Sequence, residues 1–527
     1  MNFMTSTQRL GPAALIMGAS VFLSRFMGLI RDMVISYCHG AGAETDIYFA
    51  SFVIPDFINY LLAGGYFSIT LIPLLSRFFK NSEEDGWRFF SSAFWWIVIA
   101  ISSLTALAWI FAAPLSALAA PGFTPEAQAR LTSFLRIILP AQICFLPGAC
   151  FTALLFMRRQ FAVPALTPLI YNGCIIICGL IFFRINPEAG MEGFCWGVLA
   201  GAALGSLILP MLAVRAGGLK LYPLLSHPGL KKFILLSLPL MLGQSIVVLD
   251  EYFIRIFGSI GPEGSVSLLN YARRVMMVPV GVIAQAAGVA SYPFLAALAA
   301  AGDTEKFNAT LNKALLTALA VIMPLGLWMA SCSEFIVRLL FEKGRFTYTD
   351  SETTGLLLTI MLLGVGFWAI QQIVGRGFYA RENTLTPVLA GTLGTVLALP
   401  LYFWLGQQLG PMGVALAGLA GLLLYTIFLV QRWYAHYGGQ ALTGLGQRLG
   451  WLLLFGVPCA LFSYWGCSFF KLATSDDPIL GAIICLPISF LAFLMPYNLL
   501  CNAFKPELIG EIWDVIFRKA AKKKNPD

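Results

Sequence analysis

Two long apolar stretches of this chain carry charges that a helix buried in hydrocarbon would not tolerate without a reason. Arg25, Arg31 and Asp32 fall inside the run from 12 to 37, and Arg273 and Arg274 interrupt the run from 264 to 299, with Asn270 one turn earlier. On insertion scales an arginine at the centre of a membrane helix costs about 2.5–3.5 kcal/mol, so such residues face a partner or a water-filled cavity. Arg25 and Asp32 lie close to one helical face. At about 1.5 Å of rise per residue they are about 10 Å apart along the axis, too far to pair directly. Three or four guanidiniums converging from the two runs would form a cationic cavity suited to a phosphate, whose oxygens match the planar fork of arginine. The competing reading is that each arginine neutralises a local acid such as Asp32, Asp46 or Asp250. Asp250 and Glu251, in the run from 233 to 258, pose the same choice: they bind a cation, or pair with Arg255.

Other chemistry finds little support in the residues. His39, His227 and His436 are the three histidines and lie far apart; the eleven cysteines are odd in number, sit mostly inside apolar runs and include no CxxC pair. They read as packing residues rather than metal ligands or disulfides. No phosphate-cradling glycine loop and no nucleophile–base spacing appears, so neither a cofactor nor catalysis is expected. The 34 Lys and Arg are scattered singly despite the net charge of +8, which argues against a nucleic-acid partner.

The elements that must position these charges are dictated by composition. Hydrophobic residues make up 58% of the 527, and charged residues 11%, where a soluble domain carries about 25%. With a mean hydropathy of +0.80, the chain has too few charges to cover a water-facing surface and belongs in lipid. A spanning helix needs about 20 apolar residues. That window predicts an all-α polytopic membrane protein of about fourteen spans, near 12–37, 47–79, 89–118, 127–157, 162–184, 192–214, 233–258, 264–299, 307–332, 351–375, 386–406, 411–431, 449–470 and 478–500. The first span contains Arg25 and Arg31 and no small-residue cleavage site, so it is not a removable signal. With the N-terminus inside, basic residues such as Arg77, Arg158, Arg159, Lys306, Arg381 and the tail from Lys505 to Lys524 crowd the inner segments. The outer ones keep few, among them Arg130 and Arg345. Both termini are therefore expected in the cytoplasm.

An internal repeat organises the spans. Ile72-Pro73-Leu74-Leu75 is echoed by Tyr292-Pro293-Phe294-Leu295, Thr167-Pro168 by Thr386-Pro387, and Gly190-Met191-Glu192-Gly193 by Gly410-Pro411-Met412-Gly413. Gly122-Phe123-Thr124-Pro125-Glu126 is answered by Arg345-Phe346-Thr347-Tyr348-Thr349-Asp350, each offering a threonine and a carboxylate to open the next helix. The shared offset of about 220 residues holds six spans, an even number, and so predicts two parallel six-helix lobes about an axis along the membrane normal, with a site between them. The expected domains are 1–220, 221–440, a pair of extra helices at 441–503 and a basic tail at 504–527.

Ser24-Arg25-Phe26-Met27-Gly28-Leu29-Ile30-Arg31-Asp32, followed by Gly40-Ala41-Gly42-Ala43-Glu44-Thr45-Asp46, resembles the opening of the MurJ/MviN family of lipid II flippases. Ala120-Pro121-Gly122-Phe123, Phe161 to Pro168, Leu340 to Thr347 and Phe378 to Pro387 are similar to further family motifs. The resemblance implies a fourteen-helix member of the multidrug/oligosaccharidyl-lipid/polysaccharide exporter superfamily in the bacterial inner membrane. Its substrate would be the undecaprenyl-diphosphate-linked peptidoglycan precursor, lipid II, moved from the inner to the outer leaflet without bond chemistry. It implies cavity arginines at Arg25, Arg31 and Arg274, a cavity aspartate at Asp46, and a lipid-tail groove formed by the last two helices. Where the family commonly has a basic residue in the second span this chain has Asn59, and the family's nearby Glu position is Gly64. Arg273 stands where the family is often acidic, and is expected to replace part of the missing charge. A flippase for another polyprenyl-diphosphate oligosaccharide shares these features. A cation-coupled multidrug antiporter would centre its cavity on carboxylates instead. Membrane lipids and a coupling ion are the other expected partners.

Overall fold

In hydrocarbon every backbone N–H and C=O must be satisfied within the chain, which leaves the helix as the form open to these apolar runs. The computed structural model describes residues 10–63, 66–187, 190–247, 249–473, 478–508 and 510, and among them every regular element is helical. Among the described residues ten helices are long and apolar enough to cross a membrane, and the pair Tyr348–Leu362 and Val365–Ala380, bent by 42°, makes eleven. The three remaining expected spans correspond to the charged helix Leu10–His39, to Val53–Ala63 with Tyr66–Asn81, and to Pro228–Val247 with Leu249–Gly258. Fourteen crossings is thus an expectation beyond what helix length and apolarity alone establish. Exposed Phe22, Trp109, Ile185, Trp404, Phe469 and Leu499 give the surface the apolar character that lipid accepts and water does not.

The chain forms two compact units, residues 1–267 and 268–527. The first is built around Trp87, Phe89, Phe90, Phe94, Phe151 and Leu154. Pro228–Val247 packs in this unit against Val53–Ala63 and Tyr66–Asn81, and Leu249–Gly258 also meets Val53–Ala63. In the second unit the helices Leu445–Ala473 and Pro478–Phe504 are tied to Thr304–Ser331 by two polar contacts: Ser331 Oγ donates to Ser463 Oγ at 3.0 Å, and Trp328 Nε1 to Ser489 Oγ at 3.2 Å. Most of the basic tail, beyond 510, lies outside the described residues, as do Gly64 and Gly65.

Several echoed motifs have local physical reasons. Thr124 caps Pro125–Ile138 by accepting from the Ala127 N–H, and Thr347 forms a reciprocal capping box with Asp350. Gly122 donates its N–H to Ser259 Oγ, and a Cβ there would lie 2.3 Å from the Ser259 carbonyl oxygen, so no larger residue fits. One echo escaped the sequence reading. Arg159 and Glu382, 223 positions apart, both hold a left-handed backbone at φ 58° and 59°. The arginine before each corresponding bend stacks on an aromatic ring, Arg158 on Trp87 and Arg381 on Phe307.

Candidate functional site: buried charges of the membrane helices

The helix Leu10–His39 turns Ile35, Ser36 and Cys38 into its unit and carries Arg31 and Asp32 beside them. Arg31 Nε and Nη2 donate to Asp32 Oδ1 at 2.9 and 2.8 Å, and Nη1 donates to Asn172 Oδ1 at 3.3 Å. Asn172 is itself held by the Pro168 carbonyl at 2.8 Å. The acid that Arg31 meets is therefore its own neighbour, with side chains 13% and 2% exposed. This pairing was not legible from the spacing of Arg25 and Asp32. Arg25 lies exposed on the same helix. In the helix Ser265–Pro279, Arg273 is half-buried and Arg274 exposed. Arg25 and Arg31 belong to one compact unit, Arg273 and Arg274 to the other.

Asn59 is half-buried on Val53–Ala63. One turn earlier, Asp56 accepts from Arg255 Nη1 at 2.9 Å, and Arg255 Nη2 donates to Glu251 at 2.9 Å. Of the two alternatives open to Glu251, the structure shows the ion pair with Arg255. Among the described residues no cluster of histidine, cysteine and carboxylates could hold a metal ion. The side chain of Asp250, the other metal candidate, lies outside the described residues. The ion pair of Asp56 with Arg255 links two helices and has no counterpart in the sequence analysis. Only the four-residue step from Glu251 to Arg255 hinted at it.

Asp46 sits in the short helix Ala43–Ala50, before the second expected span, and is 3% exposed. Its two carboxylate oxygens accept the N–H groups of Gly264 and Ser267 at 2.8 and 2.7 Å, satisfying donors at the start of Ser265–Pro279 where a negative charge is favoured. Glu263 reinforces the contact by accepting from the Ala43 N–H at 2.9 Å. Asp46 thus serves the chain's own backbone, as a latch between segments about 220 residues apart. Burial pushes its carboxyl up to about 7, outweighing the hydrogen bonds that lower it. Released into water it would return towards 3.8, so the latched form binds the proton more tightly. Its advantage is full below about pH 4 and declines roughly tenfold per unit as pH rises towards 7. Amide protection at Gly264 and Ser267, corrected for intrinsic exchange, is therefore expected to be higher at about pH 5 than at about pH 8. Asp46→Asn should remove the difference, and the opposite trend in the native chain would exclude the latch as the titrating group.

The polytopic helical body has a fold shared by a class of membrane transporters, those of the MOP superfamily among them. The fold agrees with a solved MATE family multidrug transporter of the MOP superfamily at a TM-score of 0.65 and 15% identity, over 80% of this chain and 96% of that one. Within that class the chain belongs to the lipid II flippase MurJ family, whose model matches residues 35–476. A Rhizobium meliloti protein named a probable lipid II flippase MurJ is 28% identical over 435 residues, 80% of each chain. The lipid II flippase MurJ of Burkholderia cenocepacia is 26% identical over 390 residues, 71% of this chain and 74% of that one. A solved lipid II flippase MurJ in an inward closed conformation agrees in fold at a TM-score of 0.76 and 24% identity, over 93% of this chain and 99% of that one.

Proposed function

We propose that this chain carries lipid II across the bacterial inner membrane by alternating access. The observation that carries the reading is Arg31: a guanidinium kept inside an apolar helix and aimed by Asp32 and Asn172, in a chain of the lipid II flippase MurJ family. Arg25, Arg31 and Arg274 bind the diphosphate of the substrate, and Arg273 supplies part of the charge absent at Asn59. The lobes of residues 1–220 and 221–440 rock about this site, and residues 441–503 guide the polyprenyl tail. Fourteen crossings with both termini in the cytoplasm complete the arrangement. Transport makes and breaks no covalent bond, so the chain needs binding groups and motion rather than a nucleophile; a coupling ion supplies the direction. The test is complementation of a strain depleted of its own essential lipid II flippase. Growth and wall synthesis are expected to be restored. Failure by a chain present in the membrane at normal level would overturn the assignment in favour of another polyprenyl-diphosphate cargo.

A further inference from the structure

The second unit contains a cavity of about 460 Å³ whose lining includes none of the arginines assigned to transport, within the size range of small-ligand sites. It is lined by the end of the helix Ala286–Ala300, the turn at Gly302 and Asp303, and Tyr379, Arg381 and Glu382 at the end of Val365–Ala380. Its polar groups are unevenly satisfied. The Arg381 guanidinium lies 4.4 Å from the Phe307 ring and 4.3 Å from that of Tyr437, and its Nη2 reaches Asn308 Oδ1 at 3.4 Å. Among the described residues it pairs with no carboxylate, and burial draws its pKa below the ordinary arginine value. Ring faces hold a guanidinium in place without neutralising it, so a cation that borders a cavity is left to attract an anion.

The acids of the cavity differ in the same way. Asp303 is occupied: it accepts from the Lys306 N–H at 3.1 Å and from Lys306 Nζ at 2.7 Å. Glu382 is exposed and held at φ 59°, a left-handed conformation unfavourable for a residue with a Cβ. The lining therefore holds one guanidinium fixed against aromatic rings and, at the next residue, an exposed glutamate on a left-handed turn. The helix Ala286–Ala300, which lines it, and the helix Leu385–Leu409, which begins three residues after Glu382, carry exposed apolar side chains, Phe294 on the first and Leu385 and Leu389 on the second. Lys306 and Arg376 lie at the same helix ends, which the distribution of basic residues assigns to the cytoplasmic side. We propose that this cavity is a lipid site that holds the phosphoethanolamine headgroup of a zwitterionic phospholipid, its phosphate on Arg381 and its ammonium on Glu382.

Opposite charges at two points select a zwitterion, whereas a simple anion would be repelled by Glu382. The aromatic stack has a counterpart in the first unit, Arg158 on Trp87, where the arginine also donates to the Val214 carbonyl at 3.4 Å. That shared stack serves the fold; the opening beside Arg381 adds the lipid.

Native mass spectrometry of the full chain, exchanged into equal mixtures of phosphatidylethanolamine, phosphatidylcholine and phosphatidylglycerol, reads the site directly. One tightly retained phosphatidylethanolamine is expected, preferred over phosphatidylcholine because a trimethylated ammonium cannot donate to Glu382. Arg381→Gln should lower its retention by about 10-fold, the loss of one charge-assisted hydrogen bond. Ala299→Trp, which fills the cavity and leaves the stack intact, should do the same. Glu382→Gln, on an exposed side chain, should erase the preference over phosphatidylglycerol, so the proposal stands or falls even if Arg381→Gln does not fold. Equal retention of all three lipids, retention unaffected by Ala299→Trp, or displacement of the lipid by excess inorganic phosphate would overturn it.

Discussion

Arg25→Ala and Arg274→Ala are each expected to reduce lipid II translocation by about 10- to 100-fold, the loss of one or two charge-assisted hydrogen bonds to phosphate, while leaving the amount of protein in the membrane unchanged. Both residues lie exposed on their helices, so removing them creates no buried vacancy. Arg31→Ala is expected to behave differently. Asp32 is 2% exposed and takes two hydrogen bonds from Arg31; stranding a buried charge by removing its partner costs about 3–5 kcal/mol. Arg31→Ala should therefore lower abundance and translocation together. Adding Asp32→Asn, which removes the stranded charge, should restore abundance and leave translocation defective. Lysine at 25 or 274 should rescue in part, since it keeps the charge and loses the planar fork. Membrane level and flipping measured on the same variants decide the matter. Normal flipping in Arg25→Ala and Arg274→Ala, or full recovery of flipping by Asp32→Asn in the Arg31→Ala background, would remove the diphosphate from these residues.

Arg255→Met is expected to destabilise the first unit. Arg255 is 8% exposed and joins Asp56 on one helix to Glu251 on its own. Without it Asp56 and Glu251, each 32% exposed, lose their shared cation, at a cost between that of a surface pair and that of a broken buried pair, about 1–3 kcal/mol. Thermal unfolding of the purified chain in detergent should shift down by several degrees. Asp56→Asn with Glu251→Gln should recover most of the shift in the Arg255→Met background, because the repulsion disappears with the charges. An unchanged melting temperature in Arg255→Met would mean that water reaches the trio and that it contributes no more than a surface pair.

The membrane character, the positions of the helices and the echo at about 220 residues were legible in the sequence because each depends on one local property. Apolarity over about 20 residues places a span without reference to the rest of the chain. Proline acts within its own turn in the same way, and Pro279 precedes the π-helical segment Val280–Gln285. The capping threonines Thr124 and Thr347 were readable for the same reason, since a cap acts within its own turn.

Partners across the fold were not legible. Charge counting put Arg31 among the arginines of a helix and left open which acid it met; only packing brings Asn172, 141 residues away, to its Nη1. Asp56 and Arg255 lie 199 positions apart, and no spacing rule relates them. Asp46 resembled a cavity acid from its motif, yet the structure directs both its oxygens to backbone N–H groups about 220 residues along the chain. Hydrophobic patterning decides what is buried in lipid or core, because transfer free energy is a property of the residue. The pairing of charges is decided by distance and desolvation after the helices have packed, and those exist only in the tertiary structure.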